Sequence, residues 1–336
     1  MFVWLKFLIC GASILYVGYR LSYYGDVISE KTGLSRGLMG FVFLSLATTL
    51  PEMVTSVSAI TIAQSPDLAA GNIFGSIVMN IMFIALIDLL QGRGSLLYTV
   101  KRSHILYGGL GIVAMAVTTF SIMLRKEFTG NLGLLSFGLD SLILIIIYAI
   151  GLKLIFGQDK KINSEEKDPL KPPSTHPGIR LSSAITLFSL CFIVIVFLGI
   201  WLASIGEEIV IAMNWNEALV GTVFLALATS LPELVVSISS LRFGADMAVG
   251  NILGANFLDI MIVPVCDIFF RQGEFLSYVT SRHTITLMLG IILTGIVVIG
   301  LIYRSPRSFL KLGWDAIAML ATFVVGGYFL ILIMKG

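Results

Sequence analysis

Residues 40–52 read Gly-Phe-Val-Phe-Leu-Ser-Leu-Ala-Thr-Thr-Leu-Pro-Glu, and residues 221–233 read Gly-Thr-Val-Phe-Leu-Ala-Leu-Ala-Thr-Ser-Leu-Pro-Glu. Each stretch is followed by a second matching block. In the first half it is Gly71-Asn72-Ile73-Phe74-Gly75-Ser76-Ile77-Val78-Met79-Asn80. In the second half it is Gly250-Asn251-Ile252-Leu253-Gly254-Ala255-Asn256-Phe257-Leu258-Asp259. Fainter echoes extend the match: Asp88 with Asp267, Ser103-His104 with Arg282-His283, and Leu139-Asp140 with Trp314-Asp315. The chain is an internal duplication.

The composition around these blocks sets the class. Of 336 residues, 57% are hydrophobic and 12% are charged, against about 25% charged in a soluble domain. About 20 helical residues cover a ~30 Å hydrocarbon core. Apolar runs of that order fall at 2–22, 35–62, 69–91, 103–124, 132–156, 181–205, 216–241, 246–271, 283–303 and 313–334. The first run has a counterpart in the second half, so it reads as a span and not as a cleaved leader. Five spans per copy is an odd number, so the copies enter the membrane in opposite directions. The expected fold is therefore an all-α integral membrane protein, with ten transmembrane helices forming two inverted five-helix repeats. Such folds place the ion site near the midplane where the copies meet.

The expected division is 1–156 for the first repeat (paired blocks 40–80), 157–180 for a hydrophilic linker, and 181–336 for the second repeat (paired blocks 221–259). Lysine and arginine set orientation. Alternate loops on the linker side hold Arg20, Lys31, Arg36, Arg93, Lys101, Arg102, Lys153, Lys160, Lys161, Lys167, Lys171, Arg180, Arg242, Arg304, Arg307 and Lys311. The other side holds Lys6, Arg125, Lys126, Arg271, Arg282 and Lys335. This bias puts the linker in the cytoplasm and both termini outside a plasma or inner membrane. A net charge of +2 gives no reason to expect a nucleic-acid partner. The cysteines Cys10, Cys191 and Cys266 lie in apolar runs without metal-site spacing. No nucleophile–base pair or cofactor loop points to an enzyme, and no obligate protein partner or cofactor is evident.

Glu52 and Glu233 sit well inside their spans. An ionised carboxylate in hydrocarbon is costly and persists where it faces a cation or a polar cavity. An interhelical hydrogen bond or snorkelling would explain one such glutamate; a pair at equivalent positions favours ion binding. Each follows a proline (Pro51, Pro232), which lacks an N–H and frees a carbonyl one turn earlier. Thr48, Thr49, Thr229 and Ser230 add hydroxyls on roughly the same face. In the second blocks, Asn72, Ser76 and Asn80 form one polar stripe, and Asn251, Ala255 and Asp259 form the matching one. The paired glycines Gly71/Gly75 and Gly250/Gly254 let helices approach closely. This donor set is oxygen throughout, suited to calcium, sodium or magnesium. Asp88, Asp140, Asp267 and Asp315 fall near span ends and read as caps, interface positions or gating contacts. His104 and His283 read as interfacial, with pH sensing as the alternative.

The two blocks resemble the α-repeats of the cation/calcium antiporter superfamily, and above all the prokaryotic sodium/calcium exchangers. The family pattern is roughly G-T-S-L-P-E, then G-N-x-x-G-S-x-x-x-N/D, once in each half. The resemblance covers essentially the whole chain. It implies that spans 2, 3, 7 and 8 form an ion-binding core against which long tilted spans 1 and 6 slide. It also implies that Glu52 and Glu233 are the main calcium ligands. Thr48, Thr49, Thr229, Ser230 and Ser76 would help form sodium sites with the carbonyls of Ser45 and Ala226, around central Asn80 and Asp259. Three departures stand out: Ala47 and Ala228 replace glycine, Thr49 replaces serine, and Ala255 replaces a serine hydroxyl.

The expected function is secondary active exchange of calcium for sodium across the bilayer, in the direction of calcium extrusion. Proton or potassium coupling is the alternative within transport, kept open by Ala255 and the titratable Asp259. An uncoupled cation channel or an ion sensor on the same scaffold is the alternative from another class.

Overall fold

The computed structural model describes residues 2–92, 94–127, 138–165, 176–213, 222–306, 308–309 and 312–335. The first repeat comprises α1 (Phe2–Thr32), α2 (Arg36–Leu38), a π-helical turn (Met39–Leu44), α3 (Ser45–Thr61), α4 (Pro66–Gln91), α5 (Leu96–Thr99), α6 (Ser103–Glu127) and α7 (Leu139–Glu165). The second comprises α8 (Leu181–Ala212), α9 (Thr222–Thr229), α10 (Leu231–Ser240), α11 (Ala245–Phe269), α12 (Arg282–Tyr303) and α13 (Trp314–Lys335). A two-residue antiparallel ladder pairs Ser308–Phe309 with Leu312–Gly313.

Among the described residues, eight helices are long and apolar enough to cross a membrane. The runs at 216–241 and 313–334 correspond to α9 with α10 and to α13. Residues 132–137 of the fifth run, 216–221 of the seventh and 166–175 of the hydrophilic stretch lie outside the described residues. One difference from the sequence reading is clear. Helix α7 continues to Glu165, so residues 157–165 are helical. After Gly157 this segment holds good helix formers (Gln158, Lys160, Lys161, Glu165) and no proline, so nothing local stops the helix.

Sequence chemistry sets the helix starts. Ser35 accepts the Leu38 N–H at 3.1 Å, and Ser65 accepts the Leu68 N–H at 3.3 Å with Pro66 in the first turn. These are standard serine caps. Helix α4 ends on Gly92 at φ 62°, a left-handed position that favours glycine.

Helices α1 and α8, of 31 and 32 residues, are longer than a perpendicular crossing needs. They pack along each other through Ile14, Leu21 and Val27 against Ile195, Leu202 and Ile205. The larger core lies around α4 and α11, with α3, α6, α7 and α12 packed against them. Helix α11 meets the π turn almost backbone to backbone. A Cβ at Gly254 would fall onto the Phe41 carbonyl, one at Gly250 onto the Gly37 carbonyl, and one at Gly40 onto the Met247 carbonyl. Across the pseudo-twofold, a Cβ at Gly75 of α4 would lie 3.2 Å from the Ala226 methyl of α9.

The duplication is written into the polar contacts, which cross from one repeat to the other. His104 Nε2 lies 2.9 Å from Asp246 Oδ1, which also accepts the Lys101 N–H at 2.7 Å. The counterpart has His283 Nε2 3.3 Å from Asp67 Oδ1, which accepts the Thr280 N–H at 2.8 Å. Asp88 accepts the N–H groups of Leu96 and of Gly313. Its equivalent Asp267 accepts those of Phe275 at 2.7 Å and Gly138 at 2.6 Å. The span-end aspartates therefore tie helix ends to loops, and the histidines are buried partners of first-turn aspartates.

Candidate functional site

Helices α3, α4, α9, α10 and α11 bring both sequence motifs to one place in the core. The two Leu-Pro-Glu segments differ in local form. In the first repeat the helix is wound into a π turn at Met39–Leu44 and then runs unbroken through Pro51. In the second it breaks at Ser230 (φ −87°, ψ 0°), between α9 and α10. In the second repeat the proline's missing N–H falls where the ladder is already interrupted; in the first the helix continues past Pro51 without that bond. Both prolines pack on α8, since a Cβ at Gly199 would overlap the Pro51 ring and come within 3.6 Å of Pro232 Cγ.

Glu52 and Glu233 are fully buried. Glu52 Oε1 accepts the Ser230 hydroxyl at 2.6 Å, and its carboxylate lies beside Asp259, Ser76 and Thr229. Glu233 lies within electrostatic reach of Glu52 and beside Thr48. Each glutamate thus faces hydroxyls of the opposite repeat.

Two matching brackets hold the glutamate backbones. Asn72 Nδ2 donates to the Glu52 carbonyl at 3.4 Å and to Ser56 Oγ at 3.0 Å. Asn251 Nδ2 donates to the Glu233 carbonyl at 3.3 Å and to Ser237 Oγ at 2.9 Å. Thr229 Oγ1 lies 3.1 Å from Asn72 Oδ1 and 3.0 Å from the Ala226 carbonyl. Thr48 Oγ1 donates to the Ser45 carbonyl at 3.2 Å. At the centre, Asn80 Nδ2 donates to Asp259 Oδ2 at 3.2 Å. Each of these donations uses an N–H or O–H and leaves carboxylate, hydroxyl and amide oxygens spare.

The spare oxygens are the chemical signature. Thr49 Oγ1, Glu52 Oε2, Ser76 Oγ, Asn80 Oδ1, both Glu233 oxygens, Asn251 Oδ1, Asn256 Oδ1 and Asp259 Oδ1 are buried without a hydrogen-bond partner. Leaving one buried acceptor unsatisfied costs about 1–3 kcal/mol. So many together, all oxygen, match the needs of a hard cation. Among the described residues, no three carboxylate, histidine or cysteine groups converge as a ready-made metal cluster. The carboxylates are instead interleaved with hydroxyls and amides.

Every site residue expected from sequence falls in or beside this region: Ser45, Thr48, Thr49, Glu52, Asn72, Ser76, Asn80, Ala226, Thr229, Ser230, Glu233, Asn251 and Asp259 are all buried there. The sequence reading passed over Ser56 and Ser237, the second arms of the asparagine brackets. The signal was present, since Pro-Glu-x-x-x-Ser occurs in both halves and puts the serine one turn beyond the glutamate. It also passed over Asn256, whose Nδ2 donates to the Ile77 carbonyl at 3.2 Å. Ala255, fully buried, offers no hydroxyl at the position equivalent to Ser76.

The model of the family described as sodium/calcium exchanger protein matches residues 2–157 and 183–332. The chain is 25% identical over 287 residues to the inner membrane protein YrbG of Escherichia coli K12, covering 83% of each. It is 22% identical over 277 residues to the sodium/calcium exchanger MaX1 of Methanosarcina acetivorans, covering 71% of this chain and 74% of that protein. Among solved structures, the sodium-calcium exchanger NCX_Mj soaked with 10 mM Na+ and zero Ca2+ superposes with a TM-score of 0.67 at 19% identity, covering 96% of this chain and 97% of that one. At that identity the superposition establishes the shared fold of two repeats. With nearly all of both halves matched by the family model, the chain belongs to the sodium/calcium exchanger family, a family of membrane transporters.

Proposed function

We propose that this protein is a secondary active antiporter that exchanges calcium for sodium by alternating access. The observation that carries this reading is the set of unpartnered buried oxygens centred on Glu52 and Glu233. Calcium takes about six to eight oxygen ligands in flexible geometry, and two glutamates neutralise one divalent ion. When calcium leaves, the carboxylates cannot stay buried and uncompensated, because a bare charge in a low-dielectric core is strongly disfavoured. Sodium ions held by Thr48, Thr49, Ser76, Thr229 and Ser230 with the Ser45 and Ala226 carbonyls would take over that compensation. Asn72 and Asn251 position the glutamates, and Asn80 and Asp259 close the site between the repeats. The excess of lysine and arginine on the linker side supports a cytoplasmic linker and external termini. Calcium extrusion fits an inward sodium gradient.

A second reading replaces sodium by protons at part of the site. Ala255 removes one hydroxyl ligand, and Asp259 is a titratable group at the centre. Calcium uptake into proteoliposomes distinguishes the two: an outward sodium gradient at equal pH drives it under the first reading. Uptake that requires a pH gradient and ignores sodium overturns that reading.

A further inference from the structure

The two repeats carry equivalent buried acidic frames, and among the described residues only the second-repeat frame contains its own cation. In the second-repeat frame, Asp267 fastens the Phe275 and Gly138 amides. Beside it, Arg125 lies between two further buried acids. Its Nη2 is 2.8 Å from Asp140 Oδ1, its Nη1 pairs with Glu274, and it donates to Ser277 Oγ at 2.6 Å.

The first-repeat frame has the same plan. Asp88 fastens the Leu96 amide and the Gly313 amide, the latter at 2.8 Å. Asp315 takes the place of Asp140, and Ser95 the place of Glu274. Ser95 Oγ donates to Asp315 Oδ2 at 2.9 Å. The arginine equivalent to Arg125 is Arg304, and it turns away. It donates to the Tyr98 carbonyl at 2.6 Å and the Val100 carbonyl at 3.0 Å, and its guanidinium lies over the Tyr98 ring.

Asp315 is therefore 2% exposed, close enough to Asp88 to feel its charge, and has no ion-pair partner among the described residues. Its Oδ1 is buried with no hydrogen-bond partner. Truncating the partner of a buried charge leaves a large uncompensated penalty. The frame is nonetheless kept, with Gly313 and Gly300 both giving way to the Asp315 carboxylate.

We propose that the Asp88–Ser95–Asp315 frame is a second cation site, separate from the central one, that holds a hard monovalent metal ion such as sodium or potassium. The single positive charge follows from its sister frame, where one guanidinium serves the equivalent position. Asp88 has both oxygens on backbone N–H groups, which leaves Asp315 Oδ1 and Ser95 Oγ as the inner ligands. By fastening the α4–α6 connection to the start of α13, a bound ion would tie this end of the bundle together without taking part in exchange.

Trp314 adjoins the site and serves as the reporter. The test uses full-length protein carrying Trp4→Phe, Trp201→Phe and Trp215→Phe, with Glu52→Gln and Glu233→Gln to disable the central site. Trp314 fluorescence is titrated with sodium, potassium and calcium, with choline as the ionic-strength control. The expected result is a saturable change with sodium or potassium that Asp315→Asn abolishes. Ser95→Ala, which leaves the carboxylates in place, should weaken half-saturation about tenfold. A response to calcium alone, no response beyond choline, or an undiminished response in Asp315→Asn or in Ser95→Ala would each overturn the proposal.

Discussion

Replacing Glu233 by glutamine separates ion binding from folding, because the two effects have opposite signs. Both Glu233 oxygens are buried without a hydrogen-bond partner, and Glu52 is a like charge within reach. Removing the Glu233 charge therefore relieves repulsion in the ion-free protein. It leaves an isosteric amide, whose N–H groups can donate to neighbouring oxygens. The ion-free protein should melt no lower than wild type. Calcium binding should collapse. Two unit charges 4 Å apart attract by ~4 kcal/mol at an effective dielectric of about 20. A divalent ion loses at least that on losing one carboxylate, which is about a thousandfold in affinity at 1.4 kcal/mol per tenfold. The assay is a thermal-melt series in detergent against calcium concentration. Wild type should gain stability as calcium rises and Glu233→Gln should stay flat across a thousandfold wider range. A variant that melts well below wild type without calcium, or still responds at wild-type calcium concentrations, would refute the reasoning.

Four further outcomes follow from particular contacts. Glu52→Gln should also lose calcium transport, but with less change in ion-free stability than Glu233→Gln, since the side-chain carbonyl still accepts from Ser230 (2.6 Å in the wild type); melts of the pair measure the difference. Gly254→Ala drives a methyl into the Phe41 carbonyl, and should lower the yield of monodisperse protein in size-exclusion chromatography far more than Gly109→Ala, where a Cβ meets open space. Arg125→Met leaves Asp140 and Glu274 buried without their cation, at a cost of about 3–5 kcal/mol readable as a lower melting temperature. Ala255→Ser places a hydroxyl at the position equivalent to Ser76 and should raise the apparent sodium affinity in sodium-driven calcium flux, leaving half-saturation by calcium close to wild type.

Much of this was legible in the chain because the duplication repeats chemistry as well as hydrophobicity. Proline, glutamate and hydroxyls recur in the same order, so Glu52, Glu233 and the hydroxyls beside them could be named from the repeat, the family resemblance added the Ser45 and Ala226 carbonyls, and the structure brings these residues together. The histidine partners were not legible. Asp67 lies in the first repeat and its partner His283 in the second, and such a pair is set by how the repeats interlock, which local spacing does not report. The same limit hid the role of Asp88, whose second bond goes to Gly313. The two Leu-Pro-Glu segments make a different point. Nearly identical sequence gives an unbroken helix after a π turn in one copy and a break at Ser230 in the other. Tertiary surroundings decide where the missing proline bond is absorbed. The helical start of the hydrophilic stretch follows from helix propensity, which charge content alone conceals.

The most direct measurement of the central claim is radioactive calcium uptake into sodium-loaded proteoliposomes by wild type, Glu52→Gln and Glu233→Gln, at equal pH on both sides. The account predicts sodium-dependent uptake by wild type and none above protein-free vesicles for either variant, with all three eluting as folded protein. Wild-type uptake in either glutamine variant would contradict it.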